Sequence, residues 1–372
     1  MKRALLTVVL CLCVAAPAAE ARDPGRWVLT GASSIPTTYW QGVTSDPAKR
    51  RVFFTGVFEG LWRTSRGLDQ TAGVGAAIPA DVKALEGYNH IGDPTWNRAG
   101  VVLPLECYDP GGGGNTCGTG SFGVADPATL AWRYYVKLDP AEIPKAMWAE
   151  TSPDGKLVWT SSGDDLLAYR SSDIVAANAA PAASPIHPAR RLSGAVPPTG
   201  ITGAVFRDGR LLLAGERDGT YQVWTLDTSN GKRRLELEMR VCGESEGLDV
   251  IPTLGGELHW LIAPSDPGCT LTFGPTSALL HFTPRPGRER LRVQVLSVRA
   301  GKLPGRVRAK VRVTRQGRPL AGARVTFAGA SATTTGRGRA TLWPPLSVPG
   351  RFKALARDRR SYGVSALVDV GL

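Results

Sequence analysis

The chain has 372 residues, 45 Lys and Arg against 32 Asp and Glu, a net charge of +13, and 6 cysteines. That length is ample for two hydrophobic cores, and outside the stretch Ala4 to Ala16 no apolar run approaches the length of a spanning helix, which excludes a polytopic helical membrane protein. The charge is uneven: from Arg285 onward 20 cationic side chains stand against 3 acidic ones, leaving +17 on the tail and −4 on the rest.

Lys2 and Arg3, the apolar run Ala4 to Ala16 and the small-residue pattern Ala19-Glu20-Ala21 read as a secretory signal peptide over residues 1–21, cleaved before Arg22; a retained anchor helix is the alternative. The mature chain is then expected to be secreted and soluble, with no transmembrane segment. Cys107, Cys117, Cys242 and Cys269 remain after cleavage, and an even number in an exported chain predicts two disulfides. The sequence-local pairing, Cys107 with Cys117 and Cys242 with Cys269, would clip one loop each. A four-cysteine zinc site is the rival, without a CxxC spacing to support it.

Helical periodicity is confined to Ala80–Glu86 and Ser172–Ala180. Short apolar runs recur instead, each opened by a turn: Arg51-Val52-Phe53-Phe54-Thr55, Gly100-Val101-Val102-Leu103, Lys156-Leu157-Val158-Trp159-Thr160, Arg210-Leu211-Leu212-Leu213-Ala214 and Leu258-His259-Trp260-Leu261. Their spacing of roughly 50 residues is the period of propeller blades. Turn chemistry before them, as in Ser152-Pro153-Asp154-Gly155 and Phe206-Arg207-Asp208-Gly209, suits a hairpin between an inner strand and the next one out. The pattern predicts an all-β fold, a five- or six-bladed β-propeller over residues 22–285, with Arg26 to Thr30 as a strand that closes the ring. Pro110 to Asn115 and Ala176 to Gly200 read as inserted surface loops.

From Leu291 the pattern changes. Val307, Ala309, Val311 and Val313 alternate with Arg306, Arg308, Lys310 and Arg312, a strand with one apolar and one basic face. Gly317-Arg318-Pro319-Leu320-Ala321-Gly322-Ala323-Arg324-Val325-Thr326-Phe327 and Thr334-Thr335-Gly336-Arg337-Gly338-Arg339-Ala340 follow. Residues 286–372 thus resemble the bacterial Ig-like or carboxypeptidase-regulatory-like β-sandwich; the resemblance implies a fold and little about function. The earlier part resembles the secreted TolB-like or gluconolactonase-like propellers, on Glu246-Gly247-Leu248-Asp249 and, more loosely, Gln41-Gly42-Val43-Thr44. That resemblance implies inner strands facing a central channel. In the gluconolactonase-like hydrolases it also implies a metal held by Glu, Asn and Asp, of which only Glu246 has a counterpart here.

Superposed on their apolar runs, the units align Gln41, His90, Thr202 and Glu246, with Glu150 the nearest polar candidate in the remaining unit. Asp93 and Asp249 lie three residues beyond His90 and Glu246. These seven are the expected ligand-binding residues at the channel mouth. His90, Glu246 and Asp249 are the candidate ligands for Ca2+ or another divalent cation, which would polarise a phosphate or lactone for attack by water. The alternative is that these groups hydrogen-bond backbone around a water-filled channel. His90 should face the channel opposite or beside Glu246, and Trp96 should pack between blades.

Gly243-Glu244-Ser245-Glu246-Gly247 satisfies G-x-S-x-G, but the strand-turn-helix context of a nucleophile elbow is missing, so it reads as a chance match. The glycines Gly111 to Gly114 lack the GK[ST] of a phosphate loop. The basic tail suits an acidic polymer or cell surface, although 35 Arg against 10 Lys across the chain shows a general arginine bias. No helix-turn-helix, zinc finger or aromatic RNA platform points to specific nucleic-acid binding. The reading is a secreted binding propeller held near an anionic surface or polymer by its basic domain. The alternatives are a divalent-metal-dependent hydrolase of the lactonase, phosphotriesterase or phytase-like type, and a structural or adhesive exoprotein.

Overall fold

The computed structural model describes residues 26–371 apart from 57, 110, 112–113, 180–183, 241–242, 264–275, 302–304 and 360. The expected signal segment 1–21, Cys242 and Cys269 lie outside the described residues.

Almost all regular structure is β, with two short helices, Ala80–Glu86 and Ser171–Ala176. Antiparallel meanders build successive sheets. The first has the order 42–45, 51–55, 61–65, 70–74; the second 90–91, 100–106, 121–125, 132–137, with Thr95–Asn97 added beside the second strand. The third runs 150–151, 157–162, 165–170, 190–192, and the fourth 200–207, 210–217, 220–226, 233–239. In the fifth, Glu244–Thr253, Gly256–Ala263 and Ser277–Pro284 are completed by Trp27–Ile35 from the start of the described chain. The inner strand of each sheet touches that of the next, and the fifth touches the first, so the sheets form a closed ring. This is a β-propeller, and the strand expected from Arg26 onward is its closure.

Local chemistry fits each bend. Asp208-Gly209 and Asp218-Gly219 have positive φ at both positions (50° and 74°, 52° and 69°), the backbone of the two-residue turns whose twist matches flanking strands. Between sheets, apolar faces interlock: Trp260, Leu280 and Phe282 of the fifth sheet pack with Leu212, Tyr221 and Val223 of the fourth. Trp96 lies 5.9 Å from Phe53 of the first sheet, centroid to centroid, and so packs between the first two sheets.

The tail forms two further sheets. One has the order 288–289, 361–364, 355–358, 324–327, 330–333; the other places Val307–Arg315 between Arg292–Ala300 and Arg339–Leu342. Val307, Ala309, Val311 and Val313 are buried while Arg308, Lys310 and Arg312 are exposed, the alternation expected of one covered face. The tail is also joined to the ring. Gly350–Phe352 pairs with Gly31, Ala32 and Ser33 of the ring-closing strand, Val368–Val370 pairs in turn with Gly350–Phe352, and one sheet therefore runs from propeller into tail. Phe352, Phe327 and Val311 share a single core with Ile35, Tyr39, Phe54 and Leu279.

Cys107 and Cys117 are disulfide-bonded, as expected, and close a ten-residue separation. Chain-entropy reasoning assigns such a loop about 3 kcal/mol. Reduction, or a Cys107→Ser/Cys117→Ser variant, should lower unfolding free energy by about that amount; a change below about 0.5 kcal/mol would show the loop to be held by its other contacts.

Candidate functional site

Glycines set the register of the ring. Gly42, Gly92, Gly203 and Gly247 occur once in each of four inner strands, and a Cβ at any of them would collide with a neighbouring strand: 2.5 Å from Asp93 Cα, 1.9 Å from Met147 O, 2.6 Å from Glu246 O and 2.4 Å from Val43 N, respectively. Only glycine allows backbones to approach this closely. In the third sheet Trp148 holds the matching level, bridged to Asp93.

Counted from those glycines, Val43, Asp93, Ala204 and Leu248 are equivalent. The Asp93 side chain reaches across the axis to the other three: Oδ1 accepts from Val43 N at 2.8 Å, Oδ2 from Ala204 N at 3.1 Å, and Leu248 N is also a donor. Burial pushes its carboxyl well above the usual range, against which the three N–H groups act. At 1 % exposure, Asp93 is a hub that ties four sheets together and is not open to a ligand at the mouth. Its expected ligand-binding role is corrected to that extent.

The remaining predicted residues divide between two ends. Where the inner strands begin, Gln41 Nε2 donates to Glu246 Oε2 at 2.8 Å, and Gln41 Oε1 meets His90 Nε2 at 3.1 Å. Gln41 thus links His90 to Glu246. His90 Nδ1 is 2.8 Å from Glu106 Oε1, whose other oxygen is 3.8 Å from Lys145 Nζ. Thr202 Oγ1 meets Ser245 Oγ at 3.0 Å and donates to Glu246 O at 3.2 Å. Burial, then the fields of Glu244, Asp93, Glu216 and Glu106, push Glu246 well above the normal carboxylate range. This end is a mutually bonded polar cap. Ser245, the serine of the G-x-S-x-G match, is fully buried and accepts from Trp260 Nε1 at 3.1 Å, so it is no exposed nucleophile.

Glu150 and Asp249 lie at the opposite mouth. Glu150 was aligned with Gln41, but Trp148 sits at the level of Asp93, which carries Glu150 two residues further along; Lys145 belongs near the first end instead. Glu150 accepts from Thr95 Oγ1 at 2.9 Å and Phe206 N at 2.8 Å, and burial raises it to about 7. Asp249 Oδ1 accepts from Lys49 Nζ at 3.3 Å, while its buried Oδ2 has no hydrogen-bond partner among the described residues. Lys49, Glu150, Asp249, Thr95, Trp96 and Arg98 line a cavity of about 410 Å³ here.

The proposed metal set is therefore separated: His90 and Glu246 belong to one end and Asp249 to the other. Among the described residues no three His, Cys, Asp or Glu side chains converge as metal ligands. Sequence reasoning missed Lys145, Glu106 and Lys49, none of which stands at an inner-strand start.

A third feature is the basic sheet of the tail. Arg299 is directly opposite Arg308, and Arg312 directly opposite Arg339. The nearby acids are engaged elsewhere, Asp358 with Arg315 at 2.6 Å and Asp369 with Arg351 at 2.9 Å. Among the described residues, Arg299, Arg308, Lys310, Arg312 and Arg339 make no ion pair.

No protein family matches the sequence, and no curated protein does. Among solved structures, the PQQ-bound aldose sugar dehydrogenase of Streptomyces coelicolor aligns at 10% identity and TM-score 0.35 over 70% of this chain and 99% of that one. A glucose dehydrogenase aligns at 12% and 0.40 over 67% and 98%. The β-propeller domain of Cps50 (Swd1) from Myceliophteria thermophila aligns at 12% and 0.32 over 84% and 99%. Scores this low carry no argument; the propeller is defined by the sheet order and ring contacts of this chain.

Proposed function

We propose that the chain is an exported binding protein: a five-bladed propeller, residues 22–285, fused to an Ig-like basic module, residues 286–372, that holds it at an anionic surface or polymer. The observation that carries this reading is the sheet face of the tail, where like charges oppose one another without an acid between them. Directly opposed like charges destabilise a sheet, so the arrangement makes chemical sense when an external anion neutralises it. The mouth with Lys49 and Asp249 is the candidate ligand end, because there Glu150 and Asp249 line a cavity and Asp249 Oδ2 has no hydrogen-bond partner among the described residues. Metal-dependent hydrolysis is the weaker reading, since His90 and Glu246 do not share a site with Asp249.

The test is retention of the mature chain on immobilised polyphosphate and on an uncharged matrix. Retention on polyphosphate alone, lost on raising salt from about 0.05 to 0.5 M, is the expected result. Equal retention on both matrices, or none on polyphosphate, rejects the anchoring role.

A further inference from the structure

We infer that the anionic partner of the tail is a lipid bilayer, laid against the outer face of the sheet formed by Arg292–Ala300, Val307–Arg315 and Arg339–Leu342. This rests on the anchoring role proposed above and commits it to one kind of surface.

The face is built for contact with a plane. Arg308, Lys310 and Arg312 project from one side of the central strand, at intervals of roughly 6.8 Å set by the strand rise, with neighbouring strands about 4.8 Å away. Arg299 flanks Arg308 on one side, and Arg339 flanks Arg312 on the other. The result is a broad, two-dimensional array of cations rather than a single file.

Apolar side chains then distinguish a bilayer from a soluble polyanion. Of the five large hydrophobics that are exposed among the described residues, one lies in this sheet, Leu296 at 42 %, and one directly beyond its strand end, Trp343 at 46 %. Trp343 directly follows the strand Arg339–Leu342, and its ring lies 5.6 Å from the Arg308 guanidinium. Leu296 stands at the bulge where the edge strand slips register between Val295 and Ser297. A hydrated polymer of phosphates or uronates offers such side chains no apolar counterpart. A bilayer offers headgroup anions to the arginines and, directly beneath, the interfacial layer that tryptophan prefers. Cation and aromatic together are the pattern of a surface that rests on lipid without spanning it.

The experiment is co-sedimentation of the mature chain with phosphatidylcholine vesicles and with vesicles in which part of that lipid is phosphatidylglycerol, beside binding to soluble polyphosphate. The wild type should bind the anionic vesicles and leave the neutral ones. A Leu296→Ser/Trp343→Ser variant should bind anionic vesicles at least tenfold more weakly and polyphosphate as before. An Arg308→Gln/Lys310→Gln/Arg312→Gln variant should lose on the order of a hundredfold on the vesicles. Unchanged thermal melting of both variants establishes that they fold, and all substituted positions are exposed. Binding to polyphosphate but not to anionic vesicles overturns the bilayer and leaves the broader anchoring role standing; binding to neither overturns both. Full vesicle binding by the Leu296→Ser/Trp343→Ser variant also overturns it.

Discussion

An Asp93→Ala variant is expected to lose on the order of 4 kcal/mol or more of stability, or to fail to accumulate as folded protein. The alanine leaves the N–H groups of Val43, Ala204 and Leu248 buried without their acceptor, and an orphaned buried donor costs about 1–3 kcal/mol. Asp93→Asn should fall between: one oxygen still accepts, but its amide hydrogens face a donor. Urea unfolding of the three proteins decides the matter. If Asp93→Ala unfolds within about 1 kcal/mol of wild type, the inner strands are held by packing alone and the hub is an accident of geometry.

The second large effect is a loss of stability in mild acid, arising from His259 and His281. Both are fully buried, and their proton positions follow from their partners. The Ile251 carbonyl can only accept, so His259 Nε2, at 2.6 Å, carries the hydrogen and His259 Nδ1 is an acceptor. His281 Nδ1, 2.7 Å away, must then donate, which leaves its Nε2 to accept from Ser33 Oγ at 2.8 Å. Every link has one hydrogen, and a further proton on His259 Nδ1 would set two N–H groups against each other. Burial accordingly depresses His259 to about 4 and His281 well below the ordinary histidine value.

In the unfolded chain both rings titrate near 6.5. Between about pH 6.5 and 4 the unfolded state therefore binds more protons, and this contribution to stability rises with pH: complete above 6.5, lost on the way down to 4. At about 1.4 kcal/mol per pH unit for each group, the loss across the window is on the order of 3 kcal/mol for His259 alone. Glu150, raised to about 7, titrates with the opposite sign over a similar window. The quantity to measure is thus the difference between wild type and a His259→Gln/His281→Gln variant. The wild type should lose stability relative to the variant as pH falls from 6.5 to 4; a difference that stays flat would refute the neutral chain of rings.

Repetition and alternation were the legible parts of the molecule. The apolar runs marked the second strand of each sheet, and the alternation from Val307 to Val313 foretold which face the tail would bury. The four inner-strand glycines were equally visible, in Gln-Gly-Val, Ile-Gly-Asp, Thr-Gly-Ala and Glu-Gly-Leu. Aligning on the apolar runs instead placed His90 level with Gln41, although the glycines make Ile91 its equivalent. In the third sheet no such glycine exists, because Met147 and Trp148 occupy that level, and Glu150 was assigned to the wrong end. Other features were hidden by distance along the chain. His259 and His281 read as unrelated polar residues in two apolar strands until register places them opposite one another. That Asp93 serves strands from three other sheets depends on where a side chain points at the axis, which no local pattern encodes.

The closing strand Trp27–Ile35 is held on one edge by Ser277–Pro284 and on the other by Gly350–Phe352. Its partners thus lie far along the chain from it. A ribosome or an export channel delivers that strand well before its neighbours, so this sheet stays unfinished until Gly350–Phe352 has emerged. Contacts of such sequence separation are slow to form, and a chain stopped near residue 285 would be left with a bare strand edge and an uncovered apolar floor. Such a fragment would tend to pair with its own copies, so the tail shields an edge and an apolar face that the ring alone would present.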